Sequence, residues 1–185
     1  MSASNGSTIK EEINTMRSML IIAAIMTCLD QATKIAVRKA IPTRGTIEVI
    51  KGWFQITYAE NSGMAFGMLR GWNPIFIFFG IIAIVFIFMY HRQFKSSRWM
   101  GISLGLLLGG ALGNLIDRVI FGHVTDFIRV RWWFIHLRWW PSFNVADACV
   151  CVGAAMVILG MFERGKSVEP MVQIEEANSP SSENP

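Results

Sequence analysis

Four apolar runs divide this chain, Met16–Val37, Pro74–Tyr90, Trp99–Ile116 and Phe143–Phe162, and each is long enough to cross a bilayer. A span needs about 20 mostly apolar residues, with about 17 as the lower limit. The expected fold class is therefore an all-α membrane protein, a four-transmembrane-helix bundle. A content of 52% hydrophobic and 16% charged residues excludes an ordinary soluble domain. The expected division is a polar, disordered tail over 1–15, a membrane domain over 16–164, and a Ser-, Pro- and Glu-rich disordered tail over 165–185. The first apolar run starts well inside the chain and no small-x-small site follows it, so it reads as a span and not as a removable signal peptide.

The acidic residues are sorted in an unusual way. All nine glutamates lie outside the apolar runs, whereas three of the four aspartates, Asp117, Asp126 and Asp147, fall within the single stretch Gly109–Ala148. The fourth, Asp30, ends the first run one helical turn before Lys34, so the two side chains can meet and offset each other's burial. The net charge of +4 is scattered over loops and helix ends, which points to membrane-surface charge and away from nucleic acid. Cys28, Cys149 and Cys151 all fall inside spans, with neither a disulfide framework nor metal spacing.

Between the first two runs, residues 41–72 form a loop too long for a simple connection. Its segment Thr46–Tyr58 is β-branched and aromatic, and predicts two short strands broken at Gly52. The segment continues into Asn61-Ser-Gly63-Met-Ala-Phe-Gly67, where the glycines permit close backbone approach and Asn61 offers both a donor and an acceptor. The second run carries no charge and reads as lipid-facing. The basic turn after it, Arg92, Lys95 and Arg98, marks the cytoplasmic side, with both termini inside and both long loops outside. The whole-chain count does not reinforce this, since nine Lys or Arg fall outside on that reading and seven inside. All seven tryptophans sit in loops or at span ends, as an interfacial belt should.

The third run repeats glycine every fourth residue at Gly101, Gly105, Gly109 and Gly113, a stripe that admits a second helix backbone. The same register leads to Asp117, with Asn114 and Arg118 beside it, and the fourth run repeats the Asn-x-x-Asp spacing as Asn144 and Asp147. These span ends and the β-like stretch around Asp126 are expected to meet at one depth on the outer side. Two carboxylates close together in such a place cannot both ionise easily, so one keeps a proton. An aspartic peptidase needs that arrangement, one carboxylate taking a proton from water and the other polarising the scissile carbonyl.

Other chemistries fit less well. Ser62, Ser103 and Ser142 lack a histidine partner, and His123, Asp126 and His136 match no standard metal spacing. Two readings remain beside the peptidase. The aspartates could only fasten helices, or they could serve a proton- or cation-coupled transporter, for which the repeated Asn-x-x-Asp is the best argument.

Five segments, taken in order, narrow the choice: Asp30-Gln-Ala-Thr-Lys34, Asn61-Ser-Gly-Met-Ala-Phe66, Gly109 through Arg118, Val124-Thr-Asp126-Phe127 and Phe143-Asn-Val-Ala-Asp147. Together they resemble the five sequence blocks of the prolipoprotein signal peptidase family, signal peptidase II. The resemblance covers about Arg17 to Phe162. It implies a monomeric aspartic endopeptidase of the bacterial cytoplasmic (inner) membrane, with its active site towards the outer side and no cofactor or metal. The implied substrate is a lipid-modified prolipoprotein, cut just before its diacylglyceryl cysteine while membrane lipid holds the acyl chains. By motif, Asp126 and Asp147 would be catalytic, and Asp117 supporting. Asn61, Gly63, Asn114, Arg118 and Asn144 would shape the site or hold substrate, and Asp30 and Lys34 would support the structure around it. The long first loop would form a small β-rich extramembrane cradle. The tails and the Trp-rich insert between Asp126 and Asn144 depart from a compact member of the family.

Overall fold

The computed structural model describes residues 2–63, 71–91, 97–131 and 139–177. Residues 64–70, the basic residues Arg92 and Lys95, and most of the Trp-rich insert, including Trp132, Trp133 and His136, lie outside the described residues. In chain order the elements are α1 (Ser2–Ala40), β1 (Thr46–Ile50), β2 (Phe54–Asn61), α2 (Asn73–Tyr90), α3 (Arg98–Phe121), β3 (Val124–Val130) and α4 (Val145–Ala177).

Helix α3 stands at the centre, because its glycines leave room for neighbours on two faces. A Cβ on Gly105 would stand 2.8 Å from the Met19 carbonyl oxygen, and one on Gly109 3.0 Å from that of Ala23. The stripe thus seats α1 backbone to backbone. Gly110 and Gly153 do the same for α4, where added Cβ atoms would meet the carbonyls of Ala146 and Ser103. Met19, Ala23, Met100, Leu104 and Leu108 fill the buried core between α1 and α3, with Ile84 and Ile87 of α2 packed against it. The contacts advance together along α1 and α3 and in opposite senses along α4. The C-terminal ends of α1 and α3 therefore share one end of the bundle with the start of α4.

Among the described residues, three helical segments are long and apolar enough to cross a membrane: Ile9–Ala40, Arg98–Phe121 and Val145–Phe162. The second expected span is a shorter apolar helix. At 18 residues α2 reaches about 27 Å, against a hydrocarbon core of about 30 Å. Its Phe78, Phe79, Ile82 and Val85 are exposed on the bundle surface, as a lipid-facing helix requires. Helix also continues through residues 2–15 and 165–177, where polar composition predicts disorder. Once a span is helical, each further residue adds a bond without a new nucleus, so helix can run on into a polar flank.

The three strands form one antiparallel sheet in the order β1-β2-β3. Gly52, at φ +73°, makes the turn between β1 and β2 where the sequence breaks. β3 leaves α3 through Gly122, whose left-handed φ of 75° caps the helix while its N–H donates to the Arg118 carbonyl (3.2 Å). The β2–β3 register sets Ala59 opposite Asp126 and Asn61 opposite Val124, and it shifts between Ile56 and Ala59. A second core of Val37, Ile41, Tyr58 and Phe127 fastens the sheet to the end of α1. Phe143 bridges to Ile128 and so returns the chain to the sheet just before α4 begins.

Candidate active site

Asn144 immediately precedes α4, and Asp147 is that helix's third residue. Their side chains and backbones are reciprocally bonded. The Asp147 N–H donates to Asn144 Oδ1 (2.9 Å), and the Asn144 N–H donates to Asp147 Oδ2 (3.2 Å). This is a capping box built from Asn and Asp, which closes two of the helix's unpaired N–H groups. The other Asn-x-x-Asp, at Asn114 and Asp117, lies inside α3 and caps nothing. The repeated spacing therefore serves two different purposes and is not an internal repeat.

Asp126 reaches the same place from β3. Its Oδ1 accepts from Asn144 Nδ2 (2.8 Å) and its Oδ2 from Asn61 Nδ2 (2.9 Å). Asp147 Oδ1 accepts from Asn114 Nδ2 (2.8 Å). Asn144, fully buried, thus touches both carboxylates, that of Asp126 through its amide and that of Asp147 through its backbone N–H. Burial, and next the charge of Asp147, push the Asp126 carboxyl up to about 7, against the opposing pull of the two asparagine amides and the Lys34 charge. One carboxylate at this place holds its proton near neutrality, burial being the first cause and the neighbouring carboxylate the second. Both aspartates line an open cleft of about 680 Å³, with Asn61, Gly63 and Arg118 at its polar end and Trp140, Phe143 and Val152 along its apolar wall.

The three asparagines are oriented by partners that can bond in only one sense. Lys34 has donors only, so its Nζ must meet Asn114 Oδ1 (3.0 Å), which leaves the Asn114 amide nitrogen for Asp147. The Gly63 N–H takes Asn61 Oδ1 (3.1 Å) and turns that amide nitrogen to Asp126. The capping N–H of Asp147 does the same for Asn144. Each amide nitrogen therefore points at a carboxylate oxygen and favours its ionised form, partly offsetting desolvation.

Behind the cleft lies a charge cluster. Asp30, Lys34 and Asp117 are all 0% exposed. Lys34 Nζ lies 2.8 Å from Asp30 Oδ2 and 3.3 Å from Asp117 Oδ2, and Arg38 Nη1 lies 3.4 Å from Asp117 Oδ1. Two carboxylates face two cations, so the cluster is formally neutral and each charge is paired, as burial demands. Asp30 Oδ1 also accepts from the Ala146 N–H (2.9 Å), binding the start of α4 to α1. Gln31 donates to the Gly113 carbonyl (2.9 Å) and to Asp117 Oδ1 (3.3 Å). Arg118 turns the other way, donating to the Gly63 carbonyl (3.2 Å) and stacking 4.5 Å over the Phe76 ring.

The structure thus gathers Asn61, Gly63, Arg118, Asp126 and Asp147 at one cleft, places Asn114 and Asn144 against its carboxylates, and sets Asp30, Lys34 and Asp117 in the layer behind. Sequence reasoning missed Gln31, Arg38 and Thr125. The available signal was spacing: Asp30, Lys34 and Arg38 recur every fourth residue and so share one helix face. Arg38 and Arg118, two of the nine charges counted outside, each bond internal partners. His123 lies 3.8 Å from Glu60, on the far side of Asn61 in the strand pair, and its proposed companion His136 is not described. Cys149 is buried and Cys151 exposed, in keeping with their two-residue separation on a helix.

The chain matches the model of the family described as "Signal peptidase (SPase) II" over residues 22–163. It is 39% identical over 153 residues to the lipoprotein signal peptidase of Syntrophotalea carbinolica, covering 80% of this chain and 93% of that one. It is likewise 39% identical over 159 residues to the lipoprotein signal peptidase of Pseudomonas putida, covering 82% and 91%. A solved structure described as a bacterial membrane enzyme, at 2.3 Å, superposes with a TM-score of 0.75 at 29% identity, over 83% of this chain and 92% of that one. A second, at 1.9 Å, gives 0.69 at 30% identity, over 79% and 93%.

Proposed function

This chain belongs to the signal peptidase II family and is a multi-pass membrane peptidase of lipoprotein precursors, and on that premise we propose that Asp126 and Asp147 are its catalytic pair. The observation that carries the reading is Asn144: one buried side chain donates to Asp126 and caps the backbone of Asp147, tying both carboxylates to the mouth of one cleft. Below about pH 7 Asp126 keeps its proton. Asp147, held by the Asn114 amide and the first turn of α4, acts as the ionised partner. Asp147 takes a proton from the attacking water while Asp126 donates a hydrogen bond to the scissile carbonyl. When the tetrahedral intermediate collapses, the carbon–nitrogen bond breaks and the leaving nitrogen takes a proton from the pair.

The bond cut is the one before a diacylglyceryl-modified cysteine. The apolar wall of the cleft, formed by Trp140, Phe143 and Val152, suits a substrate whose acyl chains remain in the bilayer. On this reading α2 is a fourth, short span. The cleft and sheet face the outer side of the bacterial cytoplasmic membrane, both termini are cytoplasmic, and the enzyme works as a monomer without a cofactor. The transporter reading loses its main support, since the two Asn-x-x-Asp pairs are not equivalent. The test is to replace Asp126 and Asp147 singly by Asn and assay cleavage of a lipidated precursor by purified protein in detergent. Both variants should lose activity by several orders of magnitude while remaining folded. A folded variant with wild-type turnover refutes the pair.

A further inference from the structure

Asp126 can act only if its strand is held at the right height. The β2–β3 ladder does not fix that height alone, because its register shifts between Ile56 and Ala59, and Ala59 is Asp126's own partner across the ladder. A bulge there leaves the local ladder interrupted. The residue before Asp126, Thr125, is fully buried and, besides facing Glu60 in the ladder, is held from two helices. Its N–H donates to Asp117 Oδ2 of α3 (2.9 Å), and its hydroxyl accepts from Arg38 Nη1 of α1 (2.7 Å). Arg38 also pairs with Asp117 Oδ1 at 3.4 Å and lies 4.4 Å from the centre of the Phe121 ring.

We propose that Arg38 is a positioning residue for the peptidase reaction: by bonding Thr125 and Asp117 together, it fixes the β3 peptide that carries Asp126. This rests on the assignment of Asp126 to the catalytic pair. A guanidinium suits the task, since it stacks flat on Phe121 while its N–H groups serve two acceptors. A lysine ammonium carries three donors on one atom, so it can still reach an acceptor, but it has no planar fork and cannot stack in the same way. Removing Arg38 does not orphan Asp117, because Lys34 remains 3.3 Å away. The fold should therefore survive a substitution that loosens the strand. A misplacement of about 1 Å near reacting atoms costs on the order of 100-fold in rate.

The experiment compares purified wild type, Arg38→Met, Arg38→Lys, Thr125→Val, the Arg38→Met/Thr125→Val double variant and Asp126→Asn in detergent with a lipidated precursor. Arg38→Met should lower kcat about 10- to 100-fold with KM within about two-fold of wild type. Arg38→Lys should recover part of that loss, Thr125→Val should reproduce it, and the double variant should be no worse than Arg38→Met. A folded Arg38→Met with kcat within about two-fold of wild type overturns the proposal, as does a loss confined to KM. Losses that multiply in the double variant overturn it too. If thermal unfolding shows Arg38→Met misfolded, the near-isosteric Thr125→Val decides, and an unchanged kcat there refutes the tie. Asp126→Asn separates the two levels: if it keeps wild-type turnover, the catalytic pair itself is wrong and this inference falls with it. If it is inactive while Arg38→Met is fully active, only the inference fails.

Discussion

Replacing Asn61 by Ala should extend activity to higher pH even as it lowers the maximal rate. Asn61 Nδ2 donates to Asp126 Oδ2 at 2.9 Å, and this bond favours the ionised carboxylate. The proposed chemistry needs Asp126 protonated, so kcat/KM should fall as pH rises through the Asp126 value of about 7. A hydrogen bond to a charged group contributes about 1.5–3 kcal/mol, or about 1–2 pH units at 1.36 kcal/mol per unit. Asn61 is only half-buried, and water entering the vacated space will restore part of the stabilisation, which favours the lower figure. The alkaline limb should therefore move up by about one pH unit. The maximal rate should drop because the carboxyl loses one of its two amide restraints. The assay is kcat/KM for lipidated-precursor cleavage from pH 5 to 10, on protein shown to be folded at each pH. A limb that stays in place or moves to lower pH would refute the reasoning, since the sign follows from which protonation state the amide favours.

Lys34→Met should destabilise the protein by about 3–5 kcal/mol, because it takes the paired cation from buried Asp30 and halves the positive charge facing Asp117. The double variant Asp30→Asn/Lys34→Met should recover part of the loss in unfolding experiments in detergent, and no recovery would show that charge is not the cause. Gly109→Val should cost about 1–3 kcal/mol or more, since its Cβ would sit 2.9 Å from Met26 Cβ and 3.0 Å from the Ala23 carbonyl. Gly80→Ala, whose Cβ would meet Leu115 Cδ1 at an ordinary 3.5 Å, should be neutral or stabilising in the same measurement.

Much of this arrangement is legible in the sequence where it depends on spacing along one element. The glycine stripe announces close helix packing, the Asp30–Lys34 pair is an i, i+4 contact, and the Thr46–Tyr58 run breaks into strands at Gly52 as its composition suggests. What depends on contacts across elements is not legible. Thr125 looks like an ordinary strand residue, and its tie to Arg38 spans 87 positions. The two Asn-x-x-Asp pairs look alike, yet only the one at a helix start becomes a cap, because only there are N–H groups unpaired. The polar flanks of α1 and α4 raise a different matter: composition measures what a segment can bury, not whether a helix already formed next to it will extend.

The charge cluster behind the cleft also bears on how the chain enters its membrane. Asp30 and Lys34 neutralise each other within α1 at 2.8 Å, so the first helix can pass into lipid with that pair already closed. Asp117 has no such companion on its own helix: Lys34 and Arg38, the cations that face it, both belong to α1. A third helix inserted without the first would carry an uncompensated carboxylate into hydrocarbon. Newly made α3 is thus driven to find α1, and the glycine stripe is the surface on which it can do so. The cations that pair Asp117 and the surface that seats the glycine stripe are both carried by α1.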